Sequence, residues 1–349
     1  MTPMVKSYTS WQPLEEIIVG KVYTPDYFDF IEDVEVKNQL SQLLNEANED
    51  LDNLQRFIEQ YGAKVVRPDL PDRDVFVKGQ TGVLNYSIPV PPLTPRDWQI
   101  TLGEKLLRVL PIREMDNICQ GYELAQPGSV VDPHGRRFNP DHILNNCQAS
   151  CIVRVGRDVF FDNSEWLTDI HLEWIKENVL DDRYRVRRAV TDGHGDAVFA
   201  ILKPGVILSS KHDVNINFAQ DFPGWDVCKI WDSSIEAAIK VAEFKQENFN
   251  GRWYVPGVNP TEQFATFVDT YLKQWTGFIE ETVFDVNCLV LDEQNVVFSS
   301  YNKQVFDYCR KHKIEPHVVE QRHKYFFDSG ISCCTQDIRR RGELESYLA

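Results

Sequence analysis

The 349-residue chain is short of positive charge: 37 lysines and arginines against 53 aspartates and glutamates leave a formal net charge of -16. Nucleic-acid recognition rests on basic patches, so that class loses support, and the acidic excess inclines the chain weakly toward cationic ligands. No run of about 18 apolar residues exists, so no membrane helix is expected. The opening Met1-Thr-Pro-Met-Val-Lys-Ser-Tyr has no apolar stretch of the kind that marks secretion. The eight cysteines form no C-x-x-C pair and the eight histidines show no ligand spacing, which disfavours zinc. These features together set the expectation of reduced thiols in a cytoplasmic compartment. G-x-x-x-x-G-K-[ST] and G-x-G-x-x-G loops are missing, and so is a G-x-S-x-G elbow. There is no low-complexity tract, clean linker or sequence repeat, so residues 1–349 read as one α/β domain.

What is present alternates short apolar strands with amphipathic helices. Glu15–Gly20 reads as a strand. Val36, Leu40, Leu43, Leu44, Ala47, Leu51, Leu54, Phe57, Ile58 and Tyr61 recur at steps of three and four, a long helix stopped by Gly62. Lys64–Arg67 reads as the next strand. Trp166–Val179 reads as a helix with Trp166, Ile170, Trp174 and Ile175 on one side. Ala197–Leu208 reads as a hairpin turning at Lys203-Pro-Gly205. Two helices are expected at Ile235–Phe244 and Phe264–Trp275, and short strands at Asn287–Leu291, Val296–Phe298 and His317–Val319. The proline-rich stretches Asp69–Pro95 and Gln126–Pro140 read as loops long enough to line a site.

Four groups of residues could carry chemistry. His194-Gly-Asp196 places an acid/base residue two positions from a carboxylate; in extended backbone both would face one side. Read alone, it is more readily a solvated glycine-rich loop than a site. Cys333 and Cys334 precede a run of arginines, and nearby cations favour a nucleophilic thiolate. Read alone, they are core thiols. Arg339-Arg-Arg341 reads as a solvated basic run, and Arg96-Asp97 as a surface ion pair at the entrance of a strand.

Together these pieces resemble one family. Gly330-Ile-Ser-Cys-Cys-Thr-Gln-Asp-Ile-Arg-Arg-Arg-Gly342 resembles the C-terminal nucleophile block of the amidinotransferases. Trp11–Gly20 resembles their opening strand, and Thr94-Pro-Arg-Asp97 their guanidinium-binding segment. Arg154-Val-Gly-Arg-Asp-Val-Phe160 resembles the strand after their catalytic acid, and His194–Ser209 the stretch with their catalytic histidine and a second guanidinium-binding aspartate. The resemblance implies an α/β propeller of five ββαβ units with pseudo-fivefold symmetry. It implies that Cys333 attacks the guanidinium carbon of arginine or a related guanidine, that Asp97 and Asp196 clamp the guanidinium, and that His194 moves the protons. The amidino group would then pass through a covalent cysteine intermediate to an acceptor amine, with no cofactor and no metal.

Three positions depart from the family pattern. Gln148 stands where the family has the aspartate that orients the histidine. Ser209-Ser-Lys-His-Asp213 stands where it has a carboxylate-binding arginine, leaving Lys211 and His212 as substitutes. Ser332 stands where the residue before the nucleophile is usually histidine. A guanidine hydrolase, with water replacing the amine, is the alternative enzyme. A weakened guanidino-binding relative is the alternative that Gln148 favours. The expected partners are a guanidine donor and an amine acceptor, with no nucleic acid, no membrane, and a homodimer as the candidate assembly.

Overall fold

The computed structural model describes residues 4–80, 88–108, 130–131, 137–138, 149–162, 169–189, 194–210, 216–230, 240, 243–244, 246–247, 253–255, 257, 259–276 and 284–348. Four three-stranded sheets share one topology. In each, an antiparallel pair is extended by a third strand parallel to the second. The first joins β1 (Leu14–Val19) and β2 (Lys64–Val66) to the last strand of the chain. The others are β7 (Ile152–Val155), β8 (Asp158–Asp162) and β9 (Arg185–Ala189); β10 (Phe199–Lys203), β11 (Val206–Ser209) and β12 (Asp226–Lys229); and β13 (Leu289–Asp292), β14 (Asn295–Phe298) and β15 (Glu315–Val318). The strand pairing with β1 is β16 (Thr335–Arg340). β3 (Gln99–Leu102) and β4 (Lys105–Arg108) form a further hairpin, and β5 (Val130–Val131) pairs with β6 (Arg137–Phe138).

Local rules account for the helices that cross between second and third strands. Helix Val34–Tyr61 starts where the Asp33 carboxylate accepts from the N–H groups of Glu35 (2.9 Å) and Val36 (3.1 Å). It ends at Gly62, whose φ of 106° only glycine adopts without strain. Its Leu40, Leu44, Leu54 and Ile58 pack with Ile17 and Val19 of β1 and with Phe264 and Val268 of helix Glu262–Tyr271. Each such side chain contributes about 1.5–3 kcal/mol when fully buried.

Several expectations change. The helix expected from Trp166 is described over Asp169–Asn178; Trp174 and Ile175 are buried, but Ile170 is 68% exposed. The hairpin begins at Phe199 rather than Ala197, because Gly195–Val198 forms a helical turn. The Asp69–Pro95 stretch contains helix Arg73–Gln80. Most of Ile235–Phe244 and of Gln126–Pro140 lies outside the described residues.

The first strands of the hairpins meet at a buried ionic knot. Asp337 on β16 accepts from Arg154 Nη2 on β7 through both oxygens (2.8 and 2.9 Å) and from Arg340 Nε (2.8 Å), and Arg96 Nη1 lies 3.4 Å away. Arg154 Nη1 also donates to Ser7 Oγ (2.6 Å) and to the Thr101 carbonyl on β3 (2.9 Å). Arg340 Nη1 donates to the Gln12 carbonyl at 2.7 Å. The expected solvated basic run is therefore corrected. Arg340 turns inward and is 2% exposed, while Arg339 pairs with Glu15 (3.1 Å) and Glu16 (3.0 Å). Arg96 pairs with Asp337 rather than forming a surface pair with its neighbour Asp97.

At the turn ends of these strands, the segment Lys6–Ser10 laces the sheets together. Lys6 N–H donates to the Ile338 carbonyl (2.9 Å), Ser7 exchanges two bonds with Gly103 (2.8 and 2.9 Å), and Gly156 N–H donates to the Tyr8 carbonyl (3.1 Å). Ser10 Oγ donates to the Ile201 carbonyl at 3.3 Å. Among the described residues, no helix is long and apolar enough to cross a membrane.

Burial alone would raise the Asp337 carboxyl, but Arg154, Arg340 and Arg96 outweigh it and hold the group well below the usual carboxylate range. A depressed folded pKa gives stability that is present above the unfolded value near 4 and is lost as pH falls below it. Asp337→Asn is expected to cost about 3–5 kcal/mol in chemical denaturation at pH 7, because it leaves buried guanidinium charge uncompensated. The variant should also lose less stability on acidification than the native chain; equal stability at pH 7 would contradict this role.

Candidate active site

The site gathers at the opposite end of the same first strands. Each hairpin is entered through one short turn. Pro95–Trp98 precedes β3, the 3-10 turn Ala149–Cys151 precedes β7, and Gly195–Val198 precedes β10. Tight turns at residues 284–287 and 331–334 precede β13 and β16. A turn that reverses into a strand aims its side chains across the strand ends. Asp97, His194, Asp196, Asn287 and Cys333 all lie in these turns or at their edges.

Direct contacts tie the turns together. His194 Nδ1 is 3.9 Å from Asp97 Oδ1, and both side chains keep partial exposure (29% and 23%). Arg96 N–H donates to the Cys333 carbonyl at 3.3 Å, which fixes the Asp97 turn against the cysteine turn. Ser332 Oγ donates to Asp196 Oδ2 at 2.8 Å, orienting that carboxylate. Cys333 and Cys334 are both buried, but they face different surroundings. Asn287 Nδ2 donates to Cys333 Sγ at 3.0 Å, whereas Cys334 Sγ shares a hydrogen bond with Ser329 Oγ at 3.1 Å.

The structure thus brings Asp97, His194, Asp196 and Cys333 into one place from three separated segments, His194 and Asp196 sharing one. The route differs from the sequence expectation for one pair. His194 and Asp196 do not share a face of an extended strand. His194 is the residue before a helical turn, its carbonyl accepting from Ala197 N–H (3.0 Å), and Asp196 lies in the turn's first residues. Gln148, Lys211 and His212 lie outside the described residues. The sequence reading passed over Asn287, assigning it to a strand. The signal that would have found it is its position: Asp97, Asn287 and Cys333 each stand two residues ahead of their strands, at Gln99, Leu289 and Thr335.

A small cavity, partly open to solvent, adjoins the site. Asp196 and Ser332 line it from the site, Arg96 and Arg154 from the ionic knot, and Ser10 from the N-terminal segment. Among the described residues no three His, Cys, Asp or Glu side chains gather as a metal site. The six described cysteines are free thiols.

Comparison with known proteins gives a consistent answer at low identity. No protein-family model matches the chain. It is 23% identical to the L-arginine:L-lysine amidinotransferase of Pseudomonas savastanoi pv. phaseolicola, across 99% of this chain and 97% of that protein. The inosamine-phosphate amidinotransferase of Streptomyces griseus superposes with a TM-score of 0.63 at 18% identity, covering 98% and 99% of the two chains. A dimethylarginine dimethylaminohydrolase superposes with a TM-score of 0.50 at 11% identity, covering 93% and 99%. The relatives similar in sequence are amidinotransferases, which are enzymes, and the mixed α/β fold is the one these structures share.

Burial pushes the Cys334 thiol up to about 12. At pH 8 only about one part in ten thousand would be thiolate, the form that alkylates. Iodoacetamide at pH 8 should therefore leave Cys334 unmodified in the folded protein. Peptide mass spectrometry showing Cys334 labelled at the rate of an unfolded control would contradict this.

Proposed function

We propose that the chain is an amidinotransferase that takes the amidino group from arginine, or a related guanidine, and passes it to an acceptor amine through an amidino-cysteine at Cys333. The observation that carries the reading is the convergence of a thiol, an imidazole and two carboxylates from three separate turns. Support also comes from relatives named as amidinotransferases, one of them for arginine and lysine, over nearly the whole chain.

The chemistry gives each group a part. A guanidinium is planar and cationic, and two carboxylates can accept from its N–H donors on two edges; Asp97 and Asp196 take that part. The Cys333 thiolate adds to the central carbon. The carbon–nitrogen bond to the leaving amine breaks, and His194 supplies that amine with a proton. An acceptor amine then enters, gives a proton to His194 and attacks the amidino carbon. The carbon–sulfur bond breaks and the thiolate is restored. Gln148 takes the part of the residue that orients His194, holding the ring through its carbonyl oxygen without the negative charge of an aspartate. Lys211 and His212 are the proposed partners of a donor carboxylate. The repeated sheets, with the turns before β3, β10, β13 and β16 reaching the site, support a five-bladed propeller as the architecture behind this arrangement.

Incubation with arginine and a panel of amines, read by mass spectrometry, tests the reading. Ornithine together with a guanidinylated amine is the expected result. Citrulline would show hydrolysis instead, and neither product would overturn both enzymatic readings. Asp97→Asn and Asp196→Asn should each weaken donor binding by about 2–5 kcal/mol, the cost of truncating one partner of a buried charged contact. Unchanged donor affinity in either variant would remove that residue from the clamp. Gln148→Asp is expected to raise the His194 pKa, since an adjacent opposite charge favours imidazolium; an unmoved His194 titration, followed by NMR, would contradict the contact.

A further inference from the structure

We propose that Asn287 is a positioning residue for the nucleophile: its carboxamide holds Cys333 at two points and aims the sulfur. The inference deepens the amidinotransferase reading and rests on Cys333 being the reactive thiol. Asn287 Nδ2 donates to Cys333 Sγ at 3.0 Å, and Asn287 Oδ1 accepts from Cys333 N–H at 3.2 Å. The second bond settles the orientation of the amide. A backbone N–H can only donate, so the oxygen must face it and the NH2 group must face the sulfur.

That assignment has a chemical consequence. The amide nitrogen has protons to give and no lone pair to accept, so the contact is strongest when the sulfur carries charge. Burial by itself drives a thiol toward the neutral form, as at Cys288. The charged and titratable groups in the surrounding turns are Asp97 and His194, 3.9 Å apart; Asp196, which is held by Ser332; Arg96, whose side chain turns to Asp337; the buried Asp285 of Asn287's own turn; and the thiols of Cys151 and Cys334. The Asn287 amide is a neutral donor placed among them, so it favours the thiolate without repelling a cationic substrate.

Asn287 is itself held rigidly. It is 1% exposed, and its N–H donates to the Phe284 carbonyl at 3.2 Å. Gly330 leaves room for it: a Cβ there would lie 2.3 Å from Asn287 Oδ1 and 2.6 Å from its Cγ. The first glycine of the nucleophile block is therefore required by the amide that grips the cysteine three residues later. The position of Asn287, two residues ahead of β13, matches that of Cys333 ahead of β16 and Asp97 ahead of β3. The turn before β13 thus contributes to the site as those before β3, β10 and β16 do.

The test is the pH dependence of Cys333 alkylation by iodoacetamide, followed by peptide mass spectrometry in the full chain without guanidine or amine. Asn287→Ala should raise the midpoint by about one to two pH units, the worth of one hydrogen bond to a charged group. Labelling near neutral pH should slow by roughly ten- to a hundredfold as a result. Gly330→Ala, which displaces the amide without altering it or the cysteine, should shift the midpoint in the same direction. A role confined to packing predicts the opposite sign, faster labelling from a more open cysteine. A folded Asn287→Ala with the native midpoint, or with faster labelling, overturns the proposal. If that variant does not fold, a native midpoint in folded Gly330→Ala overturns it. Because no substrate is present, a shifted midpoint in a chain that transfers no amidino group would sink the functional reading and leave this one standing.

Discussion

One carboxylate organises the strands that lead to the site. Asp337 receives Arg154 and Arg340 directly and Arg96 at the edge of its reach, and these residues come from β7, β16 and the turn before β3. Desolvating three guanidinium groups around a single carboxylate is costly, and Coulombic attraction alone does not repay it. The structure meets several of the remaining donors with the carbonyls of Thr101 and Gln12 and with Ser7 Oγ. Such a cluster is satisfied in one arrangement of the strands and penalised in others. It therefore supplies specificity more than stability.

The knot and the site sit at different heights on the same strand. β16 begins at Thr335, two residues after Cys333, and Thr335 Oγ1 donates back to the Ile331 carbonyl at 2.9 Å. Asp337 lies two residues further on. Arg96, which reaches Asp337 with its side chain and the Cys333 carbonyl with its backbone, connects the two levels and carries Asp97 with it. The segment Lys6–Ser10 closes the far end of the strands. The turns that present reactive groups are thus short, and each is anchored within a few residues to a strand that cannot slide. The proposed reaction between a buried thiol and a planar cation needs such anchoring, because the geometry of attack leaves little tolerance.

How much of this was legible in the sequence follows from the range of the contacts. The helix Val34–Tyr61 was readable because its period, its cap and Gly62 are local. The hairpin at Val206 and the strand at Val296 were readable for the same reason. Asp97, His194, Asp196 and Cys333 were legible through resemblance, and the structure draws them together. The inward turn of Arg340 was not legible. A basic run looks solvated until Arg154, 183 residues from Asp337, is brought beside it. The helical turn Gly195–Val198 was missed because four residues give no period. Asn287 was hidden by the apolar run that follows it, and only the repeated placement of a polar residue ahead of each hairpin reveals it.

The central claim is that a guanidine reacts covalently at Cys333. The most direct measurement is the intact mass of the protein after mixing with arginine labelled at the guanidino carbon, before any acceptor is added. The account predicts a gain of one labelled amidino group, mapped to Cys333, with one ornithine released per chain, and removal of the label when an acceptor amine is supplied. Ornithine formed with no mass gain under conditions that trap the intermediate, or label found on Cys334 with Cys333 unmodified, would contradict it.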